Sequence, residues 1–186
     1  MDVVALARNG IDFAAATLGT ATTAEHLNRL FRLSENVAFC FDGDKAGRKA
    51  AWRALETALP HIREGRQIRF VFLPDGHDPD SYVNELGSDA FIKAIDEGLP
   101  LSAYLIEELA SQVDLASVDG KARFAELARP LVAKIPAGVY RDLLLGSLAE
   151  RVGLSTEKLE RSIAGEPNDR KEAGRPVVSL SRRMRN

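Results

Sequence analysis

The stretch FDGDKAGRKAA, residues 41–51, decides the fold that this sequence predicts. It follows an apolar run, residues 37–40, whose length and composition are typical of a buried β-strand. After it, small and apolar residues recur at helical spacing, which predicts a helix over residues 44–59. Asp42 and Asp44 therefore lie where a strand passes into a helix. Because side chains two residues apart on an extended chain point the same way, we expect both carboxylates to face one space.

The position of this carboxylate pair predicts metal chemistry. In an open α/β sheet, ligands bind in the crevice beyond the carboxyl ends of the strands. Mg²⁺ is usually held by one or two carboxylates together with the phosphates of a substrate. The alternative for Asp44 is a purely structural role as the N-cap of the helix that follows, but capping does not account for Asp42. The pair therefore indicates metal-assisted phosphoryl chemistry.

Composition restricts the class of protein. The chain has 186 residues, 45% of them hydrophobic and 28% charged, which is ordinary for a globular protein of one large or two small domains. Cys40 is the single cysteine, so we expect no disulfide framework and a reducing compartment. No apolar run approaches the length that spans a bilayer, and no signal peptide opens the chain. We therefore expect a cytoplasmic protein without a membrane partner.

Residues 1–98 alternate between strand and helix patterns. Strands are predicted at 37–41 and 67–72, with a weaker one at 13–16, and this alternation favours a parallel sheet. Thr22 and Glu25 form a capping-box pattern ahead of a helix. Residues 78–80 are predicted to open a short helix, since Pro79 suits the first helical position. We predict one α/β domain over residues 1–98.

Residues 99–164 are predicted to form a helical subdomain, because the β pattern stops after Leu101. The predicted helices cover 102–112, 119–134, 138–152 and 156–163. The expected core residues of this part are Leu143, Leu144, Leu148 and Val152. Residues 165–186 are predicted to be a basic linker or tail, which either contacts nucleic acid or is simply solvated.

The predicted sheet lacks a strand at its start. Parallel sheets are normally covered on both faces and begin with a strand, yet this sequence opens on a helix. We expect an unpaired strand edge, which predicts low stability or self-association of the chain by itself.

Four blocks of sequence resemble the Toprim domain of bacterial DnaG-type DNA primases. The blocks are MDVVAL (1–6), LGTATT (18–23), FDGDKAGRKAAWRALETALP (41–60) and LPDGHDPDSYV (73–83). The run LPLSAY (99–104) resembles the segment that follows in the same enzymes, so the resemblance covers about residues 1–163. It implies a Toprim-type α/β parallel sheet, with its first strand missing, followed by a small all-α helical domain. The implied activity is synthesis of RNA primers on single-stranded DNA by metal-dependent nucleotidyl transfer.

The resemblance also implies a set of site residues. The implied metal ligands and catalytic residues are Asp42, Asp44, Asp78 and Asp80. Asp2 would support the metal cluster as the last residue of a family motif, Glu-Gly-Tyr-Met-Asp, whose glutamate is not in this sequence. For Asp78 and Asp80 the alternative is a role in capping a helix and in balancing its dipole.

Three cations beside the first carboxylate pair are candidate phosphate contacts. Lys45, Arg48 and Lys49 lie at the start of the predicted helix, and the alternative is a solvated helix face. Trp52, on the same helix, is expected to pack on the helical half. The three histidines lack the spacing of a zinc site.

The implied cofactor is Mg²⁺, with Mn²⁺ as an alternative, and zinc is expected only in an N-terminal domain that this chain lacks. The implied partners are the single-stranded DNA template, nucleoside triphosphates, and the replicative helicase through a C-terminal domain that this chain also lacks. The site of action would be the bacterial replication fork. Two other hypotheses remain: a non-catalytic module that keeps a metal-binding crevice, and, with less support, a Toprim nuclease.

Overall fold

A computed structural model describes residues 2–17 and 21–164 of the chain. The predicted basic tail, residues 165–186, lies outside the described residues. In chain order the helices and strands are α1 (Asp2–Arg8), α2 (Ala24–Leu33), β1 (Asn36–Phe41), α3 (Lys45–Ala58), β2 (Gln67–Phe72), α4 (Pro79–Leu86), α5 (Ser88–Asp96), β3 (Leu99–Pro100), α6 (Leu101–Ser111), α7 (Val118–Val132), α8 (Val139–Val152) and α9 (Thr156–Ala164). A short 3-10 turn, Leu59–His61, follows α3.

The sheet is mixed rather than parallel throughout. β1 and β2 pair in parallel, from Asn36 opposite Gln67 to Phe41 opposite Phe72, as predicted. β3 then pairs antiparallel with β2, with Leu99 opposite Phe70. The sequence missed β3 because two residues, one of them a proline, carry no alternating pattern. In the described part of the chain, β1 pairs with β2 alone, so its other edge is unpaired there.

The predicted weak strand at 13–16 is wrong. These residues form an irregular segment after α1, and Phe13 is 68% exposed. Ile11 anchors the segment instead, since its side chain is buried and its backbone N–H donates to the Leu6 carbonyl at 2.9 Å. An apolar run that has no neighbouring strand to pair with does not become a strand.

The other predicted helices and strands are confirmed to within about two residues, and α5 is an additional helix. The capping box of α2 lies one residue later than predicted. Thr23, not Thr22, is the N-cap, and His26 supplies the reciprocal side chain. Glu25 instead forms an ion pair with Arg29, one helical turn further on, at 2.6 Å.

Two buried clusters lie on opposite faces of the sheet, because successive residues of a strand point to opposite sides. Phe70 faces α3 and the helical half, where Leu55, Leu105 and Leu148 are fully buried. Val71 faces the other way, toward α1, α4 and α5. The first cluster is continuous from the sheet into α9, and the predicted boundary between residues 98 and 99 stays a prediction.

The predicted core of the helical half is correct for Leu144, Leu148 and Val152, which are buried. It is wrong for Leu143, which is 68% exposed. Leu143 lies on the solvent side of α8, whereas the next two residues, Leu144 and Leu145, both face the core. Trp52 is partly buried against the large cluster, as expected. Within the described ranges, no helix combines the length and hydropathy that crossing a membrane requires.

Candidate metal and phosphate site

Two loops meet at the carboxyl edge of the parallel strand pair. One follows β1 and carries Asp42 and Asp44, and the other follows β2 from Leu73 onward. The Leu73 backbone N–H donates to the Phe41 carbonyl at 3.0 Å, so the two chains stay paired beyond the strands. A Cβ atom on Gly43 would lie 2.3 Å from the Leu73 carbonyl oxygen. The loops can approach this closely only because residue 43 has no side chain.

A second glycine places the first carboxylate pair against α3. The Asp44 side chain caps the helix, since its Oδ1 accepts from the Gly47 backbone N–H at 2.7 Å. A Cβ on Gly47 would lie 2.0 Å from the Asp42 carbonyl oxygen. The chain therefore folds back tightly between Asp42 and Gly47, and this turn determines where both carboxylates lie.

Asp42 is the point at which the acidic groups converge. Its pKa is raised above the usual range, first by partial burial and then by the negative charges of Asp44, Asp78 and Asp2. The pKa of the Cys40 thiol is raised to about 12, mainly by burial and further by Asp42 and Asp2. Residues separated widely in sequence thus bring their negative charges close to Asp42, and the role of these carboxylates as metal ligands stays a prediction.

Asp78 is at once part of this group and the N-cap of α4. Its Oδ1 accepts from the Ser81 backbone N–H at 2.7 Å, while the Ser81 hydroxyl accepts from the Asp78 backbone N–H at 3.0 Å. The hydrogen bonds from Ser81 hold the pKa of Asp78 below its usual range. Capping uses one carboxylate oxygen, as it does in Asp44. In both residues Oδ1 makes the capping hydrogen bond.

Asp80 is held differently. Its Oδ1 accepts from the Asn84 side-chain amide at 2.6 Å, and Asn84 in turn accepts from the Asn9 side chain at 3.2 Å. This ladder ties α4 to the end of α1. Asp80 is not among the charges that raise the pKa of Asp42, so its predicted place as a metal ligand stays a prediction.

The three predicted phosphate contacts are exposed around the start of α3. Within the described ranges, no carboxylate oxygen lies within 4 Å of the cationic nitrogens of Lys45, Arg48 or Lys49. The Arg48 guanidinium instead lies over the ring of Phe72, 5.1 Å from its centroid. Cations at a helix N-terminus oppose the helix dipole. An anion arriving at this edge would relieve that repulsion.

Sequence reasoning missed Asp75, which lies in the loop after β2. Its Oδ1 is 3.0 Å from the position of a Cβ on Gly43, so its carboxylate borders the same turn. The sequence could have indicated it, because Asp75 follows by two residues the end of the β2 run at Leu73. It adds one more acidic side chain to this edge of the sheet.

The donor set suits a cation that shares its coordination with a substrate. Within the described ranges, no three carboxylate, imidazole or thiol groups converge closely enough to hold a metal ion by themselves. Mg²⁺ commonly keeps several water molecules and takes only one or two carboxylates, with substrate phosphates completing its shell. Asp42 and its neighbours fit that mode of binding, and they do not fit a closed structural metal site.

Comparisons with known proteins agree with this architecture. Residues 1–83 match a family model described as Toprim-like, and residues 102–157 match one described as the DnaB-helicase binding domain of primase. The chain is 50% identical to the DNA primase of Escherichia coli (strain K12) over 185 residues, which are 98% of this chain and 31% of that protein. It therefore spans about a third of the length of that curated relative.

Solved structures give the same result. A DNA primase domain from Pseudomonas aeruginosa superimposes with a TM-score of 0.83 at 51% identity, covering 88% of this chain and 51% of that one. A DnaG primase catalytic domain bound to single-stranded DNA has a TM-score of 0.81 at 50% identity, covering 84% of this chain and 50% of that one. The chain belongs to the bacterial DNA primase family, in the part that corresponds to the Toprim domain and the helical segment after it.

Proposed function

We propose that this chain provides the metal-binding and triphosphate-binding part of a primase catalytic core. The observation that carries the proposal is the contact of the loops after β1 and β2 at Gly43, which brings carboxylates of both loops to one edge of the sheet. Partial burial and the charges of neighbouring carboxylates raise the pKa of Asp42 there. A site that holds several negative charges close together is costly until a cation binds there. A divalent cation should therefore bind more tightly at this edge than at a single exposed carboxylate.

In the proposed reaction, the triphosphate of a nucleotide enters beside the carboxylates only with divalent cations between them. Mg²⁺, or Mn²⁺ in its place, would supply charge neutralisation of the leaving pyrophosphate and activation of the attacking hydroxyl. Asp42, Asp44 and Asp78 would hold the cation, with Asp80 and Asp2 as further acidic groups. Lys45, Arg48 and Lys49 would contact phosphate oxygens. We expect no zinc in this part of the protein.

The first test measures cation binding by titration calorimetry of MgCl₂ or MnCl₂ into the chain. Asp42→Asn is expected to weaken or abolish binding. Glu107→Gln, which removes one exposed carboxylate of α6 that borders Ser147 and Arg151 of α8, is the matched control and should leave binding unchanged. Equal binding by both variants would show that the cation is held elsewhere.

The second test measures primer synthesis on a single-stranded DNA template by the longest natural protein that contains this chain. Asp44→Ala is expected to abolish synthesis while the protein remains folded. Undiminished synthesis would remove Asp44 from the catalytic group. The two alternatives are separated in the same preparation: metal-dependent cleavage of plasmid DNA would favour a nuclease, and cation binding without synthesis or cleavage would favour a non-catalytic module.

The proposed partners are single-stranded DNA, nucleoside triphosphates and the replicative helicase, in the bacterial cytoplasm at the replication fork. Single-stranded DNA is proposed because a similar catalytic domain was solved bound to it. The helicase was expected to contact a domain outside this chain, whereas the helicase-binding family model matches residues 102–157. Co-sedimentation of the chain with a bacterial replicative helicase tests whether these helices suffice, and an absence of complex would return the contact to another domain.

A further inference from the structure

Arg48 is held in place by an aromatic pair that joins the two halves of the chain. Its guanidinium lies over Phe72, the last residue of β2. Phe72 also contacts two aromatic rings: Phe41, at 6.1 Å between centroids, and Tyr104 of α6, at 5.3 Å. Tyr104 also packs against Phe70 at 4.6 Å and is 2% exposed, so its ring is firmly seated in the core.

The hydroxyl group of Tyr104 reaches the same helical turn. It donates to the Arg48 carbonyl oxygen at 3.4 Å and so links α6 to the start of α3. Burial is the main reason that the pKa of Tyr104 is raised to about 12, with a further rise from Glu108 and an opposing effect of Arg48. At neutral pH the hydroxyl is therefore a neutral donor with the Arg48 cation nearby.

We propose that Tyr104 is a positioning residue for Arg48, and that it holds the guanidinium at the carboxyl edge of the sheet to contact a nucleotide triphosphate. The ring of Tyr104 packs against Phe72, and its hydroxyl is hydrogen-bonded to the backbone turn from which the Arg48 side chain extends. The helical segment thus contributes to phosphate binding without touching the phosphate. This inference rests on the proposed function of the site.

The orientation of Arg48 depends on the partners that it lacks as well as on the ring that it contacts. In the described ranges no carboxylate pairs with it, so the contact with Phe72 is what orients its charged end. A cation over an aromatic face at an exposed site is held by a weak attraction, which shifts an equilibrium about 2- to 5-fold. A contact of that size is enough to bias an exposed arginine toward one position and leave it able to move onto a phosphate.

The experiment is a double-mutant cycle on ATP binding in the presence of MgCl₂, followed by the fluorescence of Trp52. Trp52 is the only tryptophan of the chain and lies one helical turn after Arg48. Arg48→Met should weaken ATP binding on the order of 5-fold, the effect of losing one exposed ionic contact. Tyr104→Phe, which keeps the ring and removes the hydroxyl, should weaken it about 2- to 3-fold.

The decisive comparison is Tyr104→Phe in the Arg48→Met background. If Tyr104 acts through Arg48, the second substitution has no further effect, because there is no guanidinium left to position. A general effect on folding would instead lower affinity equally in both backgrounds and would overturn the inference. Tyr140→Phe is the matched control, since it also removes the hydroxyl of a partly buried tyrosine that packs on the large cluster, and it should not change ATP affinity.

The outcomes separate the inference from the function on which it rests. Absence of ATP binding by the unsubstituted chain would overturn both. ATP binding that Asp42→Asn abolishes, but that neither Arg48→Met nor Tyr104→Phe changes, would support the proposed function and overturn the role of Tyr104.

Discussion

Replacing Gly47 by alanine tests how the carboxylate turn is built. A Cβ atom at this position would lie 2.0 Å from the Asp42 carbonyl oxygen and 3.0 Å from its carbonyl carbon. Ordinary contact for a Cβ begins near 3.4 Å, so the helix and the turn must separate by about 1.4 Å. The obstructing atom belongs to the backbone and cannot rotate away as a flexible side chain could.

The expected effect is a marked loss of stability. Overpacking of this kind costs about 1–3 kcal/mol, and the rigid backbone places this site near 3 kcal/mol. Replacing a helical glycine by alanine returns about 1 kcal/mol through helix propensity, which leaves a net loss of about 2 kcal/mol. For a chain of this length that corresponds to a melting temperature lower by about 4–8 °C. The assay is thermal unfolding followed by far-ultraviolet circular dichroism.

Two other glycines within helices provide matched controls. A Cβ on Gly120, near the start of α7, would lie 1.9 Å from the Asp114 carbonyl oxygen, so Gly120→Ala should cost a similar amount far from the site. A Cβ on Gly146 in α8 would meet Thr156 Oγ1 at 3.9 Å, an ordinary contact distance, so Gly146→Ala should raise the melting temperature by about 2–4 °C.

The response to a divalent cation separates the two damaging variants. Binding to the folded state raises the melting temperature, and excess MgCl₂ is compared with EDTA for each protein. Gly47→Ala should lose most of this rise because the Asp42 backbone has moved, while Gly120→Ala should keep it. A Gly47→Ala protein as stable as the parent, with an unchanged cation response, would refute the steric reasoning.

Three further predictions concern charge, pH and the strand edge. Asp42→Asn should raise the melting temperature in EDTA by about 1–2 °C. The folded-state pKa of Asp42 is raised, so its contribution to stability is present below pH 3.8 and is lost as the pH rises. A lower melting temperature would contradict this. The free energy of unfolding should fall between about pH 10 and 12, because the pKa of Tyr104 is raised from 10.0 to about 12. The neutral tyrosine stabilises the fold below pH 10, and this stabilisation is lost as the pH rises to 12. Denaturant titration of Tyr104→Phe over the same pH range should show a smaller fall. The chain by itself should self-associate through the unpaired edge of β1, and Ala38→Lys, an exposed position of that strand, should reduce the association in sedimentation velocity; a monomer at all concentrations would remove the edge as a cause.

Local pattern was enough to locate most of the site-bearing structure. The DGD turn was found because a short apolar run of strand length gives way to a helix pattern near residue 44, and such a change is visible in a short window of sequence. The capping function of Asp44 and Asp78 was also foreseeable, since aspartate ahead of a helix is a common N-cap. The family blocks then ranked these acids above the other carboxylates of the chain.

Contacts between distant parts of the chain could not be predicted in the same way. The irregular path of residues 13–16 and the two-residue β3 depend on whether a partner strand is available, and no local pattern reports that. Asp78 acts on Asp42 and Asp80 does not, because Asp80 is hydrogen-bonded to Asn84, which in turn is hydrogen-bonded to Asn9 after α1. Asp75 belongs to the acidic edge because Gly43 lets two loops touch.

By itself, then, the sequence determined the kinds and limits of most helices and strands, the acidic turn and the family, because each is encoded in neighbouring residues. The tertiary structure alone decided which of those acids act on Asp42 and that Tyr104, from the helical half, lies beside Phe72 and Arg48. Electrostatic and packing effects depend on distance in space, and chain folding brings together residues that are 30 to 60 positions apart in the sequence.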